Sequence, residues 1–547
     1  MPLETIPRAD SVYETPLLLK NLLSCLKSQY GDQEILYGDT QRLTYESFQQ
    51  RVIKLADALK SLGVMAGDTV AVLDWDSHRY LECLFAIPML GAVLHTVNIR
   101  LSAEQILYTM NHASDKAVLI HEDFLPVMEK IAGRIDSASI WILLTDDEKN
   151  LESTITFAGE YEELLERAST ESEFPDFDEN TRATTFYTTG TTGDPKGVCF
   201  SHRQLVIHTM ALTAALASPT KQGCFRKDDV YMPITPMFHV HAWGMPYVAT
   251  SLGVKQVYPG RYDPAKLIAL IQNEGVTFSH CVPTILHMLL NAPEAKDADF
   301  SRWKVIVGGS ALAPSLAQQA IDRGIDVFGG YGMSETCPVL TLAHVREKDL
   351  YLPAEEQIDM RCKAGRAVPM VELRVVDPDM NDVPHDGRTT GEVVVRAPWL
   401  AQGYVNDPEG SNDLWRGGYL HTGDLGHMDK MGYLKVTDRI KDVIKSGGEW
   451  ISSLLLEDIA MSHPQVSEAA AIGVLDDKWG ERPVVLIVVR SDVTFELSTL
   501  KSVFVEAADQ GLISSWAIPE KIQIVREISK TSVGKIDKKR LRAEYSS

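Results

Sequence analysis

The architecture is written most plainly in Asp68–Asn98, DTVAVLDWDSHRYLECLFAIPMLGAVLHTVN. It opens on a β-branched run, continues with apolar residues at helical spacing, and ends in a second apolar run opened by Gly91. That order reads as strand, helix, strand. Similar alternation recurs far down the chain. Strand-like runs stand at KAVLI, SIWILL, ATTFYTT, KQVY, VTFSHCV, KVIVGG and IDVFGG, and helical periods such as PAKLIALIQNEG lie between them. Strands that alternate with helices pack as parallel sheets covered by helices, which makes the chain an α/β protein. No fixed-period repeat or low-complexity tract is present, so a solenoid or propeller is disfavoured.

The texture changes twice. After about Arg361 come short strands with turn signals, VELRVVDPDMNDVPHDGRTTGEVVVRA, as in a small antiparallel β unit. Beyond DRIKDVIKSGGEW the remaining hundred or so residues read as a compact α+β module, which sets a boundary near Asp438. The expected organisation is a large N-terminal domain over 1–437, of which about 361–437 is the small β unit. A connecting segment over 438–443 and a small C-terminal domain over 444–547 follow.

Bulk composition bounds the function. The 547 residues are 45% hydrophobic and 23% charged, close to soluble globular averages. Acidic residues outnumber basic ones 75 to 53, a net charge of −22, which repels nucleic acid and anionic membrane surfaces. Any phosphate site must therefore be local. The seven cysteines are scattered and form no CxxC pair, so a reducing cytoplasm is the expected compartment. Glu4, Asp10 and Glu14 precede the modest apolar patch PLLLKNLLSCL, the wrong order for a secretory signal. No run approaches a bilayer-spanning length, so no stable membrane insertion is expected.

A local phosphate site is offered by YTTGTTGDPKGV, Tyr187–Val198, with four threonines, three glycines and one lysine. Such a loop can turn several amides and hydroxyls toward one anion, and Lys196 supplies a mobile positive charge. It is not a P-loop, because Lys196 is followed by Gly197 and Val198 instead of Ser or Thr. A plain flexible turn uses the same residue types. Its place after the strand-like ATTFY favours the phosphate reading, since α/β proteins bind ligands at the carboxyl ends of their strands.

At this point a resemblance can be stated. YTTGTTGDPKGV resembles the phosphate loop of the adenylate-forming superfamily, which includes acyl-CoA synthetases, firefly luciferases and amino-acid adenylation domains. GGYGMSET (Gly329–Thr336) resembles that family's adenine and magnesium motif, with Ser334 in place of the usual threonine. HTGDLG (His421–Gly426) resembles its ribose motif, DRIKDVIKSGGEWIS its hinge segment, and KTSVGKIDK (Lys530–Lys538) the segment with its catalytic lysine. RLTYESF near Thr44 and NIRL near Asn98 also look like family segments, so the match runs from about residue 40 to the end.

The resemblance implies a reaction in two halves. A carboxylate attacks the α-phosphate of ATP to give acyl-adenylate and pyrophosphate, and a thiol, expected to be coenzyme A, then takes the acyl group. It assigns Lys535 to the charge developing on the α-phosphate, Glu335 and Thr188 to magnesium, and Thr188, Thr189, Gly190, Thr191, Thr192, Gly193 and Lys196 to the phosphates. Gly309, Ser310, Gly330, Tyr331, Gly332, Met333 and Ser334 would contact adenine and adenylate. Asp424 would accept the ribose hydroxyls, Arg439 and Lys445 would reach ribose or phosphate, and Lys441 would be the hinge about which a mobile C-terminal domain turns. Each carries a plainer reading too: Lys535 as one lysine of the basic end KIDKKRLR, and Glu335 as an exposed or helix-capping carboxylate.

The segment PMFHVHAWGMPY bears on the substrate. Adenylation domains of this family that take amino acids place an aspartate after the phenylalanine. Here His239 follows Phe238, and no acidic residue lies between Asp229 and Asp263, which disfavours an α-amino acid. His239 and His241 as zinc ligands lack a completing Cys or His nearby. The resemblance makes His239 a gate beside the acyl carbonyl and matches Trp243 to a tryptophan that gates the acyl tunnel of long-chain synthetases, against a plain packing role. Val307, Gly308, Gly332 and Pro338 would complete the acyl wall. The closest look is to medium- and long-chain fatty acyl-CoA synthetases and methylmercaptopropionate-CoA ligases, which is compatible with a homodimer. A fatty acyl-AMP ligase serving a carrier protein, a luciferase-like oxygenase and a nucleotide-binding scaffold without turnover stay open.

Overall fold

The computed structural model describes residues 5–24, 26–146, 152–171, 173–188, 194–447, 449–476, 478–490, 495–531 and 536–545. Asp68–Asn98 folds as its pattern requires. Strand Thr69–Leu73 leads into helix His78–Met89 and returns in strand Val93–Thr96, which pairs parallel to the first with Thr69 opposite Val93. Ser77 opens the helix by accepting the Tyr80 amide at 3.0 Å, satisfying one of the donors a helix start leaves free. Every residue of that helix is buried, so apolar side chains all round are what its place demands.

Among the described residues four sheets form. The first runs Gly159–Glu160, Ile140–Leu144, Asp115–His121, Thr69–Leu73, Val93–Thr96, Arg182–Thr188, Lys196–Ser201, parallel throughout except at the last pair. The second has nine strands. Its parallel centre is built from Asp326–Gly332, Lys304–Val307, Phe278–Cys281, Val230–Pro233, Lys255–Tyr258 and Glu34–Tyr37, with antiparallel strands at both ends. All seven strand-like runs of the sequence are strands in these two sheets. One large core lies between and around them, from Leu19 through Phe85 and Phe186 to Trp243 and Trp399.

The third sheet is antiparallel, built on Glu372–Val376, Gly391–Arg396, Tyr419–Met428 and Leu434–Arg439. The fourth begins at Ile444 and pairs Val466–Asp476 with Gly480–Val489 over a core of its own, including Leu456, Val485, Ile487 and Phe504. The turn between the third and fourth sheets holds Lys441. There Asp442 accepts a 2.8 Å ion pair from Arg542 of the terminal helix Lys538–Tyr545. Asp438 takes the Ser453 amide and hydroxyl at 2.5 and 2.9 Å. Lys538 lies buried between Ser453 Oγ at 2.5 Å and Glu457 Oε1 at 2.8 Å. Among the described residues no helix is long and apolar enough to cross a membrane.

Candidate active site

The phosphate motif begins on strand Arg182–Thr188 and ends on strand Lys196–Ser201, which pair antiparallel with Thr188 opposite Lys196. Thr189, Gly190, Thr191, Thr192 and Gly193, read in the sequence as phosphate ligands, lie outside the described residues, as does Lys535. The strand pair is held by a distant segment. The Val405 amide donates to the Gly197 carbonyl at 2.9 Å, and Val198 bridges to Tyr404. A Cβ at position 197 would lie 3.0 Å from the Val405 side chain and 3.2 Å from the Tyr187 ring, so glycine suits this close approach.

That segment ties the phosphate loop to the GGYGMSET motif. Tyr404 donates to Glu335 Oε1 at 2.6 Å, and Lys196 Nζ lies 4.6 Å above the Tyr404 ring centre while pairing with Asp407 Oδ2 at 2.8 Å. The lysine lowers the Asp407 carboxyl below its ordinary value. Burial, with Glu335 beside it, raises the Tyr404 phenol far above its usual range, so Tyr404 stays a donor. The Ala401 amide also donates to the Glu335 carbonyl, and the Trp399 indole to the Thr336 carbonyl at 3.0 Å. Glu335 itself is buried.

Asp424 sits on strand Tyr419–Met428 and accepts from two directions: the Tyr331 hydroxyl at 2.8 Å on one oxygen and Arg439 Nε at 3.0 Å on the other. Arg439 is its register partner on the neighbouring strand. Three sequence-predicted residues, from positions 331, 424 and 439, are thus joined in one network. Lys445 stands apart from it, on the fourth sheet, 5.8 Å from the Trp450 ring centre. Gly332 admits no side chain, because a Cβ would lie 1.7 Å from the Pro338 carbonyl oxygen. Gly309 holds φ 78°, a left-handed turn after strand Lys304–Val307, and Ser310 beside it is exposed. Met333 and Ser334 are half-buried in the same segment.

Trp243 closes over this group. A Cβ added at Gly308 would lie 3.0 Å from the Trp243 ring and 2.9 Å from the Gly330 carbonyl, so indole, Gly308 and Gly330 are packed without room for a methyl. The indole also tilts against the His280 ring at 5.0 Å. Its backbone is unusual. Val240, His241, Ala242 and Trp243 have φ of 48, 54, 47 and 60°, and Gly244 follows at 73°. A left-handed turn of L-residues costs roughly 1–2 kcal/mol each. The periodicity around FHVHAWG does not announce it, since only the last of the five is a glycine. His241 faces Phe186 and Tyr247, its ring nitrogens have no hydrogen-bond partner, and burial pushes it down to about 3, which keeps it neutral.

Sequence reasoning passed over Tyr404, Asp407 and Trp399. Asp407 carries one legible signal: followed by Pro408, it caps the helix Pro408–Leu414 through the Gly410 amide at 2.8 Å. That signal marks a helix start and says nothing of Lys196, 211 positions away.

The AMP-binding enzyme family matches residues 26–405, and the C-terminal domain of that family matches residues 455–535. The long-chain-fatty-acid–CoA ligase of Thermus thermophilus is 39% identical over 543 residues, covering 98% of this chain and 97% of the relative. The 3-methylmercaptopropionyl-CoA ligase of Ruegeria lacuscaerulensis is 36% identical over 538 residues, with 97% of each chain covered. Among solved structures, the anthranilate CoA ligase AuaEII in complex with anthranoyl-AMP shares the fold at a TM-score of 0.84 with 22% identity, covering 97% of this chain and 98% of that one. The chain belongs to the AMP-binding enzyme family and is an acid–thiol ligase of the AMP-forming kind.

Proposed function

We propose that this ligase activates an apolar aliphatic acid, a fatty acid of medium or long chain, and transfers it to coenzyme A. The observation that carries the reading is the packing of Trp243 against Gly308, beside the Gly330 carbonyl. It lines the wall beside the adenylate motif with apolar surface, in a stretch without an acidic residue to meet an ammonium group. Similarity to a long-chain-fatty-acid–CoA ligase supports the same class. Similarity to a 3-methylmercaptopropionyl-CoA ligase favours a second reading, a short thioether acid, with Trp243 closing the pocket early.

In the first half-reaction a carboxylate oxygen of the acid attacks the α-phosphorus of ATP, and the bond from that phosphorus to the bridging oxygen of pyrophosphate breaks. Positive charge and fixed donors around the α-phosphate lower this barrier by strengthening as charge develops there. Lys535 is assigned that role, with Lys196 on the leaving pyrophosphate. In the second half the thiol gives its proton to solvent, its sulfur attacks the acyl carbonyl carbon, and the bond from that carbon to the phosphate oxygen breaks, so that AMP departs with the oxygen. We assign the passage from the first half-reaction to the second to rotation of the C-terminal module about Lys441.

Magnesium fits the donors present. Glu335 offers a carboxylate and Thr188 a hydroxyl, the oxygen ligands a hard ion takes alongside substrate phosphates. Bound there, the ion would neutralise charge on the β- and γ-phosphates. The chain's own part is to aim Glu335, through the Tyr404 hydroxyl, and to anchor Lys196 through Asp407.

A panel of C2 to C16 acids with aromatic and thioether acids, followed for pyrophosphate and for CoA thioester, tests the reading. Turnover greatest on C8 to C16 acids with thioester formation is the expected result. Turnover confined to the thioether acid establishes the second reading, and pyrophosphate without thioester points to a carrier-protein acceptor. In the same assay Trp243→Ala is expected to broaden the range of chain lengths accepted, and an unchanged profile makes Trp243 a packing residue.

A further inference from the structure

The left-handed turn that carries Trp243 needs an outside hold, because five successive residues with positive φ persist only where their surroundings over-determine them. The hold at its entry comes from the loop after the first central strand. The Met237 amide donates to Asp76 Oδ1 at 2.8 Å, and the Tyr262 hydroxyl donates to Asp76 Oδ2 at 2.5 Å. The Asp76 carbonyl also accepts the Gly260 amide at 2.9 Å. One residue on, the Phe238 carbonyl accepts from Thr96 Oγ1 at 3.0 Å, and the Arg100 guanidinium lies 5.9 Å from the Phe238 ring centre. Asp76 is only 4% exposed. Burying a carboxylate is costly unless its lone pairs are satisfied. Here one carboxylate joins three segments far apart in sequence, and one of them leads directly into His239.

We propose that Asp76 is a positioning residue for acyl selection: its grip on the Met237 amide sets the entry of the left-handed turn, and so the placement of His239 at its start and of Trp243 against Gly308. The proposal rests on the reading of His239 and Trp243 as acyl-pocket residues. Asp76 acts through Met237, so losing it should alter how the acid is chosen and leave ATP binding in place. An asparagine keeps an oxygen that can accept the Met237 amide, whereas alanine keeps none.

The full-length chain is assayed as wild type, Asp76→Ala, Asp76→Asn and Trp243→Ala, with KM and kcat for a C4 to C16 acid series and for ATP, and with hydrogen–deuterium exchange over residues 234–246. Asp76→Ala is expected to raise the KM for the acid about tenfold, the scale of one lost buried hydrogen bond, while the KM for ATP moves less than about twofold. Its chain-length profile should broaden and exchange over 234–246 should rise. Asp76→Asn should return acid KM and exchange to within about threefold of wild type, because the amide oxygen can replace the lost acceptor. An Asp76→Ala protein with wild-type acid KM and exchange overturns the proposal, as does an Asn variant as impaired as Ala. If Trp243→Ala shifts the chain-length profile while Asp76→Ala does not, the clamp fails and the gate stands. If Trp243→Ala leaves the profile unchanged, the gate reading fails and takes the selectivity role of Asp76 with it, even where exchange shows the turn loosened. Should Asp76→Ala not fold, Tyr262→Phe removes one donor to the same carboxylate, with an expected rise in acid KM of about threefold. A wild-type KM in that variant overturns the proposal.

Discussion

Tyr404, which lies in neither motif, donates a 2.6 Å hydrogen bond to Glu335 of GGYGMSET. Lys196 rests on the face of the same ring, so one phenol spans the phosphate motif and the GGYGMSET segment. A hydrogen bond to a charged group is worth roughly 1.5–3 kcal/mol. Tyr404→Phe is therefore expected to slow pyrophosphate release about ten- to hundredfold. Pyrophosphate release measured against magnesium concentration checks it, and wild-type rates at every concentration would detach Tyr404 from the role assigned to Glu335.

Lys535→Ala is expected to depress adenylate formation by about a hundredfold or more, the scale of losing one preorganised stabiliser of transition-state charge. Thioester formation from supplied acyl-adenylate should change far less. Single-turnover measurements of the two half-reactions check this, and equal losses in both would remove Lys535 from the first step.

Asp76 makes stability depend on pH. Burial pushes its carboxyl up to about 7 from the ordinary 3.8, against the opposing pull of Tyr262, the Met237 amide and Arg100. Because the folded value is raised, the favourable contribution is full below pH 4 and is lost as pH rises through 7. At about 1.4 kcal/mol per unit, the stability of wild type relative to Asp76→Asn should fall by up to about 4 kcal/mol between pH 4 and pH 8. Urea midpoints of both proteins at the two pH values measure the difference, and parallel pH profiles would contradict it.

Lys538 is buried with Glu457 and Ser453 at 2.8 and 2.5 Å. Removing one member of a buried pair leaves the other uncompensated, at about 3–5 kcal/mol. Lys538→Met should destabilise the C-terminal module by that amount, and adding Glu457→Gln should recover most of it. Denaturation of the single and double variants checks the pair, and additive losses would show that the two do not interact.

Asp68–Asn98 made the parallel α/β architecture legible, because strand and helix periods write their burial directly into the order of apolar residues. The glycines of GGYGMSET were marked by the family resemblance alone, and the structure gives Gly332 a physical reason. Close backbone contact, such as Gly332 against the Pro338 carbonyl, tolerates no other residue and so marks the chain with a glycine. Tyr331, Asp424 and Arg439 were also marked in the sequence, though only their motifs singled them out, and the hydrogen bonds among them are a product of the fold.

Legible from the residues alone were the alternation of strands and helices, the change of texture after Arg361 and the lack of an acidic residue between Asp229 and Asp263. These are local properties, set by side-chain period, turn chemistry and charge. Folding alone brings Tyr404 to Glu335, Asp407 to Lys196 and Asp76 to the amide before Phe238. It alone also set the left-handed turn over Val240–Trp243. A partner hundreds of residues away leaves no period in the chain, and a backbone held against its own preference is stabilised by contacts that local propensity does not record.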